Sequence, residues 1–498
     1  MVTLFDRAAV EPDEMALLDD AGARGWGEAA EHTVRVGHAL RALDLGPDDR
    51  LAILGENCSA TVIMYAAAAL AGVGTIFVNH HLSEDEVAYM LRDGGAEALW
   101  ATERYAELAE RACHGLRCRL LREGSDGSWA ELVAGAASTP LPGELPAARD
   151  LIYTSGTTGR PKGVELPRHL PATVAERVQV MAAPHLSGLG THLVAGPLYH
   201  AGPHSAVGLF LAGGRVLVPG SFDAAAVLDA IERYSVATTV MVPTHFVRLL
   251  ALPADLRASA DVSSLRVVAQ TGSSCPFHVK RAMIDWFGPV IREAYGASES
   301  GILSHIESEE WLTKPGSVGR VEAGFDVVVL DDDGKECPAG EDGRLFFVDE
   351  TGRGISYVND AEKTAAAHIA PGVFTLGDIG HVDEDGYLYV TGRTSDMVIS
   401  GGVNIYPAEC ERVLIGHPAV TAAAVFGVPD DGMGERLVGV ACTDRDVGEA
   451  DLTEYCRERI AHYKVPRRIH VVHAIPHNAM GKVDKRLLRD RFLASGLT

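Results

Sequence analysis

From residue 50 onward the chain alternates short β-branched runs with helical stretches, and few folds admit that rhythm. Residues 51–54 read as a strand leading to a helix near 59–71, and 75–78 as a strand leading to a helix that begins around residue 84, with a further strand at 97–101. The rhythm resumes with strands at 191–195, 215–218, 238–242, 266–269 and 290–294, and helices near 223–234, 243–251 and 276–287. Such alternation predicts an α/β chain of parallel, doubly wound sheets, with ligands bound beyond the C-terminal ends of the strands.

Beyond residue 317 the pattern changes to short strands and tight turns. Residues 326–330, the turn 331–334 and residues 343–348 predict a β-hairpin or a small barrel-like subdomain. The last stretch, 394–498, reads as a small α+β unit, with helices near 407–416 and 450–462 and strands near 421–427 and 437–442. Its tail is basic: from residue 450 ten Lys and Arg stand against five Asp and Glu. That charge suits a lid over an anionic ligand, and equally a solvated helix face.

A length of 498 residues is enough for a few subdomains, and 47% hydrophobic with 22% charged residues is a globular composition. The formal charge of −24 is the opposite of the basic footprint a nucleic-acid binder needs. Nucleic acid is therefore not an expected partner, and any site for an anion must gather its positive charge locally. The eight cysteines are scattered, with no Cys-x-x-Cys pair, and predict free thiols in a reducing, cytoplasmic compartment. The first residues lack the basic-then-apolar layout of a signal peptide. Residues 60–78 carry no charge, over about the length of a membrane span. Gly72 and Gly74 interrupt them and residues 76–78 have strand character, so a helix, a turn and a buried strand are expected there, and no integral membrane segment.

Residues 151–164, Leu-Ile-Tyr-Thr-Ser-Gly-Thr-Thr-Gly-Arg-Pro-Lys-Gly-Val, carry the densest chemistry. A strand-like run feeds a loop that packs Thr154, Ser155, Thr157 and Thr158 among Gly156, Gly159 and Gly163, with Lys162 after Pro161. Glycines let successive N–H groups converge on one anion, hydroxyls add donors, and a lysine adds charge. That is the chemistry of a phosphate cradle, although the spacing is not that of the P-loop. The same composition, taken alone, also describes a flexible loop. The run resembles, almost letter for letter, the phosphate loop of the adenylate-forming superfamily, which includes acyl-CoA synthetases, luciferases and adenylation domains.

Four further stretches match that family in order, so the resemblance spans essentially the whole chain and points to its acyl-CoA synthetase branch. Tyr295-Gly296-Ala297-Ser298-Glu299 resembles the Tyr-Gly-x-Thr-Glu element. The resemblance implies that Tyr295 and Gly296 border the adenine, that Ser298 stands near the α-phosphate, and that Glu299, with Thr154, holds Mg²⁺. Phe374-Thr-Leu-Gly-Asp378 and Tyr389-Val-Thr-Gly-Arg393 resemble the elements whose Asp and Arg contact the ribose. A carboxylate suits that task, because each oxygen can accept a hydroxyl. Arg393-Thr-Ser395-Asp396 resembles the hinge, with Ser395 where relatives carry Asp or Lys, so the implied domains are 1–393, an adenylation domain, and 394–498, a mobile lid. Gly401 and Gly402 match the glycines past which a pantetheine arm runs. Pro476-His-Asn-Ala-Met-Gly-Lys482 matches the C-terminal element whose lysine, here Lys482, bridges the carboxylate and the α-phosphate. Lys482 and Glu299 are thus the implied catalytic residues.

The pattern bends where substrate identity would be read. Thr271-Gly272-Ser273-Ser274-Cys275-Pro276 stands where relatives carry Gly-Ala-Ala/Ala-Pro, placing Ser274 beside the nucleotide and Gly272 and Ser273 beside the acyl pocket. Asn79-His80-His81-Leu82 replaces Asn-Pro-x-Leu, and Pro197-Leu-Tyr-His200 puts His200 at the pocket. His200 and His204 are four apart, yet no His-Glu-x-x-His frame exists to make them a metal site.

The expected activity is ATP-dependent ligation of a small carboxylic acid to coenzyme A through an acyl-adenylate, releasing pyrophosphate and AMP. The alternatives are adenylation with another substrate or acceptor, such as carrier-protein loading or nitrite-dependent diazotisation of an arylamine, and a nucleotide-binding pseudoenzyme. A homo-oligomer is compatible with the sequence, which does not name the carboxylate.

Overall fold

The computed structural model describes residues 2–124, 127–154, 162–166, 171–182, 186, 188–400, 403–430, 433–477 and 483–495. Among them the strands form four sheets. One runs in the order Arg119–Arg122, Ala96–Ala101, Arg50–Leu54, Gly74–Phe77, Asp150–Thr154 and Lys162–Leu166; all are parallel except the last, which returns antiparallel. The second has a parallel centre of Met15–Asp19, Val216–Val218, Thr191–Val194, Val236–Met241, Val267–Gln270 and Ile291–Ala297. Antiparallel Gly22–Gly25 closes one edge, and Gly301–Glu307 with Arg320–Val321 closes the other. Val236–Met241 is buried at every position, as in a strand covered on both faces, and of its two threonines Thr239 donates its hydroxyl to Leu193 O at 2.8 Å.

The helix Ser59–Ala71 is buried almost throughout and packs on strands of both parallel sheets and on the helices Trp26–Ala42, Val174–Met181 and Ala201–Leu211. It ends at Gly72, whose φ of 68° is left-handed and whose missing Cβ would lie 2.5 Å from the Pro146 carbonyl oxygen. The uncharged run 60–78 is therefore a core helix, a turn and a buried strand. No helix among the described residues is long and apolar enough to cross a membrane.

Phe325–Leu330 and Gly343–Asp349 pair antiparallel, as the hairpin pattern predicts, within a third, all-antiparallel sheet that also holds Asp378–Val382 and Leu388–Arg393. The fourth sheet is built on Val420–Asp430 and Gly434–Thr443. Alternate residues of these two strands enter two apolar clusters, Val425 and Leu437 in one, Phe426 and Val438 in the other, so helices cover both faces.

Several boundaries differ from the sequence reading. The helix expected at 450–462 ends at Arg457, and the two long strands extend past the expected limits because each completes the other's ladder. The basic tail contains a helix, Lys485–Ala494, capped by Asp484 and anchored by buried Leu488 and Phe492. The first 49 residues, in which no elements are predicted, contribute Leu4–Val10, Met15–Asp19, Gly22–Gly25 and Trp26–Ala42.

Candidate active site

Thr154 ends its strand and pairs in register with Lys162, which begins the antiparallel strand Lys162–Leu166. Ser155, Gly156, Thr157, Thr158 and Gly159 lie outside the described residues. The strand is anchored at its other end by a buried ion pair: Arg177 Nη2 donates to Asp150 Oδ2 at 2.5 Å, while Thr75 N and Oγ1 donate to Asp150 Oδ1 at 2.9 and 2.6 Å. Burial makes that pair costly to break, which fixes the base of the loop.

The Lys162 ammonium lies 5.8 Å from the centre of the Tyr357 ring, and Lys363 lies 4.7 Å from it. The Tyr357 hydroxyl donates to Glu299 Oε1 at 2.9 Å. Burial lowers the Lys162 pKa, and the carboxylates of Asp360 and Glu299 oppose that shift. Tyr357 is held by its neighbours: Val358 N donates to Gly163 O at 2.9 Å, and Asn359 Nδ2 donates to Asp93 O at 2.9 Å. Sequence reasoning missed Tyr357. No motif marked it, because its partner Glu299 lies 58 residues away in sequence.

Tyr295 and Gly296 lie in the strand Ile291–Ala297, which turns through Ser298, Glu299 and Ser300 into Gly301–Glu307. A Cβ on Gly296 would come within 2.0 Å of the Gly301 carbonyl oxygen, so the hairpin can close only with glycine after Tyr295. The Tyr295 hydroxyl donates to Asp378 Oδ2 at 2.6 Å, and Arg393 Nε donates to Asp378 Oδ1 at 3.0 Å. Asp378 and Arg393 are direct cross-strand partners, and the Asp378 carboxylate is buried. Each oxygen keeps a second lone pair, so the carboxylate can still accept two hydroxyls. Burial first, and then the adjacent Asp378 charge, push the Tyr295 phenol well above its usual range, so it stays a donor.

The segments that the resemblance assigns to the acyl pocket are loops at strand ends. Asn57 Nδ2 donates to Gly196 O at 3.0 Å and its Oδ1 accepts from Leu198 N at 2.9 Å, which pins the segment leading to His200. His200 caps the helix Ala201–Leu211 and contacts the Tyr199 ring at 4.5 Å; Tyr199 meets His80, which stacks on Tyr105. Gly272 has φ 91° and exposed Ser273 and Ser274 follow it, with Gln270 Nε2 donating to Ser273 O at 3.1 Å. Lys280 and Glu293 form a buried ion pair at 2.5 Å that ties the helix after this loop to the strand of Tyr295. His204, four residues after His200, is buried between Tyr65 and Phe77, and burial lowers its pKa to about 4. Among the described residues no cluster of three or more His, Cys, Asp or Glu could hold a metal ion.

At the end of the third sheet Thr394 N and Oγ1 both donate to Gly377 O, at 2.8 and 2.7 Å. Ser395 lies in the single turn Thr394–Asp396, and Asp396 pairs with Lys485 at 3.0 Å. Gly401, Gly402 and Lys482 lie outside the described residues.

A family model described as "AMP-binding enzyme" matches residues 4–350, and one described as "AMP-binding enzyme C-terminal domain" matches 409–482. The chain belongs to the AMP-binding enzyme family. It is 35% identical to a feruloyl-CoA synthase from an Amycolatopsis species, over 98% of this chain and 97% of that one. The structure of o-succinylbenzoate CoA synthetase from Bacillus subtilis, in complex with the acyl-adenylate intermediate OSB-AMP, superposes with a TM-score of 0.80 at 28% identity, covering 98% of this chain and 97% of that one. The amide bond synthetase McbA from Marinactinospora thermotolerans gives a TM-score of 0.84 at 25% identity, covering 98% and 99%.

Proposed function

We propose that the chain is an ATP-dependent carboxylate–CoA ligase with an adenylation domain over 1–393 and a mobile lid over 394–498. The observation that carries this reading is the convergence of Tyr295 and Arg393, from two separate motifs, on the buried carboxylate of Asp378, from a third, with two lone pairs to spare for a ribose. Family membership and similarity to a feruloyl-CoA synthase support it.

In the first half-reaction a carboxylate oxygen attacks the α-phosphorus of ATP. An acyl-adenylate forms and the β- and γ-phosphates leave as pyrophosphate. Lys482 bridges the carboxylate and the α-phosphate and offsets charge developing on phosphorus. Ser155, Gly156, Thr157, Thr158, Gly159 and Lys162 hold the leaving phosphates, Tyr295 and Ser274 border the adenine, and Ser298 stands near the α-phosphate. His200, Gly272 and Ser273 line the acyl pocket.

Glu299 and Thr154 supply the hard oxygen donors that suit Mg²⁺. With no three-residue metal cluster among the described residues, the site fits an ion that keeps water and takes its remaining ligands from phosphate. Bound Mg²⁺ would neutralise phosphate charge. In the second half-reaction the lid turns about Ser395, withdraws Lys482 and presents Gly401 and Gly402 to the pantetheine arm. The CoA thiolate attacks the acyl carbonyl and AMP leaves. Water exclusion between the steps protects the mixed anhydride from hydrolysis.

The test is pyrophosphate release across short, long, aryl and amino acids, followed by CoA-dependent release of AMP. A thioester product supports the reading. Turnover that needs nitrite and an arylamine but no CoA contradicts it, as does a lack of pyrophosphate release with every acid.

A further inference from the structure

Two sets of contacts bracket Ser395. On its N-terminal side Thr394 is bound twice to the Gly377 carbonyl, and Arg393 is paired with Asp378 through both the strand register and the ion pair. The chain up to Thr394 is thereby anchored on the third sheet. On its C-terminal side the Lys485 ammonium is shared by Asp396 at 3.0 Å and Glu411 at 2.9 Å. Glu411, on the helix Pro407–Ile415, also accepts from Val425 N at 2.6 Å, which joins the pair to the long edge strand Val420–Asp430 of the small-domain sheet. Lys485 begins the last helix and follows Lys482 by three residues. The first residue after the hinge is thus tied directly to the chain segment that carries the candidate catalytic lysine.

Resting on the ligase reading above, we propose that Lys485 is a positioning residue for adenylation. Its ion pairs with Asp396 and Glu411 join the segment after Ser395, the small-domain sheet and the start of the helix Lys485–Ala494 into one piece. Rotation at Ser395 is then passed to the start of that helix, three residues from Lys482 in sequence. The long-range pair accounts for a lysine whose side chain is largely withdrawn from solvent, 24% exposed, beside two carboxylates of 35% and 16% exposure. An unbraced lysine on a helix terminus would point into water.

The test compares Lys485→Met, Lys485→Arg and Asp396→Asn with the wild type and with Lys482→Ala in the two half-reactions. Adenylation is read as pyrophosphate–ATP exchange, and thioester formation is read from supplied acyl-adenylate and CoA. A misplacement of about 1 Å can cost on the order of 100-fold, so Lys485→Met should lower the adenylation kcat by about 10- to 100-fold. The KM for ATP should stay within about twofold, because the Tyr295–Asp378–Arg393 cluster is untouched. Asp396→Asn keeps the shape and the Lys485–Glu411 contact, so it should give a smaller loss of the same kind, and Lys485→Arg should restore part of the rate.

Adenylation at the wild-type kcat in both Lys485→Met and Asp396→Asn overturns the proposal, provided Lys482→Ala has lost adenylation. An equal loss of both half-reactions, with a lowered melting temperature and no rescue by arginine, also overturns it, because that marks a purely structural ion pair. If Lys482→Ala itself retains adenylation, the ligase reading fails instead.

Discussion

Tyr295 donates its hydroxyl to Asp378 at 2.6 Å, joining a residue in the edge hairpin of the large parallel-centred sheet to one in the antiparallel third sheet. The bond bridges 83 residues of sequence and holds a buried carboxylate in a fixed orientation. On the proposed reading the tyrosine would serve two purposes, a flat face for a base and a donor for a carboxylate that binds the ribose.

Replacing Tyr295 with Phe removes the donor and keeps the ring. A hydrogen bond to a charged group is worth about 1.5–3 kcal/mol, so ATP binding should weaken by about 10- to 100-fold. Titration calorimetry with ATP checks this. Asp378→Ala should weaken it further, since it also strands Tyr295 and Arg393.

Glu299 is oriented by the Tyr357 hydroxyl at 2.9 Å. Tyr357→Phe should raise the Mg²⁺ concentration needed for half-maximal pyrophosphate–ATP exchange, and Glu299→Gln should lower the exchange rate by about 100-fold. Exchange measured across a Mg²⁺ series separates the two effects.

The Arg177–Asp150 pair holds the base of the phosphate-loop strand with side chains 2% and 9% exposed. Arg177→Met leaves an unpaired buried charge and should cost about 3–5 kcal/mol of unfolding free energy. Adding Asp150→Asn removes that charge and should return part of the loss. Urea unfolding of the single and double variants is the measurement.

His192 lies fully inside the core and His204 packs between Tyr65 and Phe77, and burial lowers each pKa from the usual 6.5 to about 4. The unfolded chain binds more protons than the folded one between those values. Stability is therefore complete above about pH 6.5 and falls as the pH drops toward 4, by up to about 1.4 kcal/mol per pH unit for each histidine. Replacing His204 with Phe should flatten that slope in urea unfolding measured from pH 7 to pH 5.

The parallel layers were legible because fully buried strands such as Val236–Met241 are short runs rich in β-branched residues between turn residues. The helix Lys485–Ala494 was not, because only Leu488 and Phe492 are buried in a segment crowded with Arg and Lys. Tyr295, Asp378 and Arg393 could be named from their motifs, yet their mutual contact is long-range and no local pattern encodes it. Tyr357 was missed for the same reason: its partner Glu299 is 58 residues away. His204 stands four residues after His200, and the helix phase turns it inward between Tyr65 and Phe77.

The central claim is that one chain makes an acyl-adenylate with Lys482 and then transfers the acyl group without it. Lys482→Ala, assayed separately for pyrophosphate–ATP exchange with the cognate acid and for thioester formation from supplied acyl-adenylate and CoA, tests this most directly. Exchange should fall by about 100-fold or more while thioester formation stays near the wild-type rate. An equal loss of both half-reactions would contradict the account.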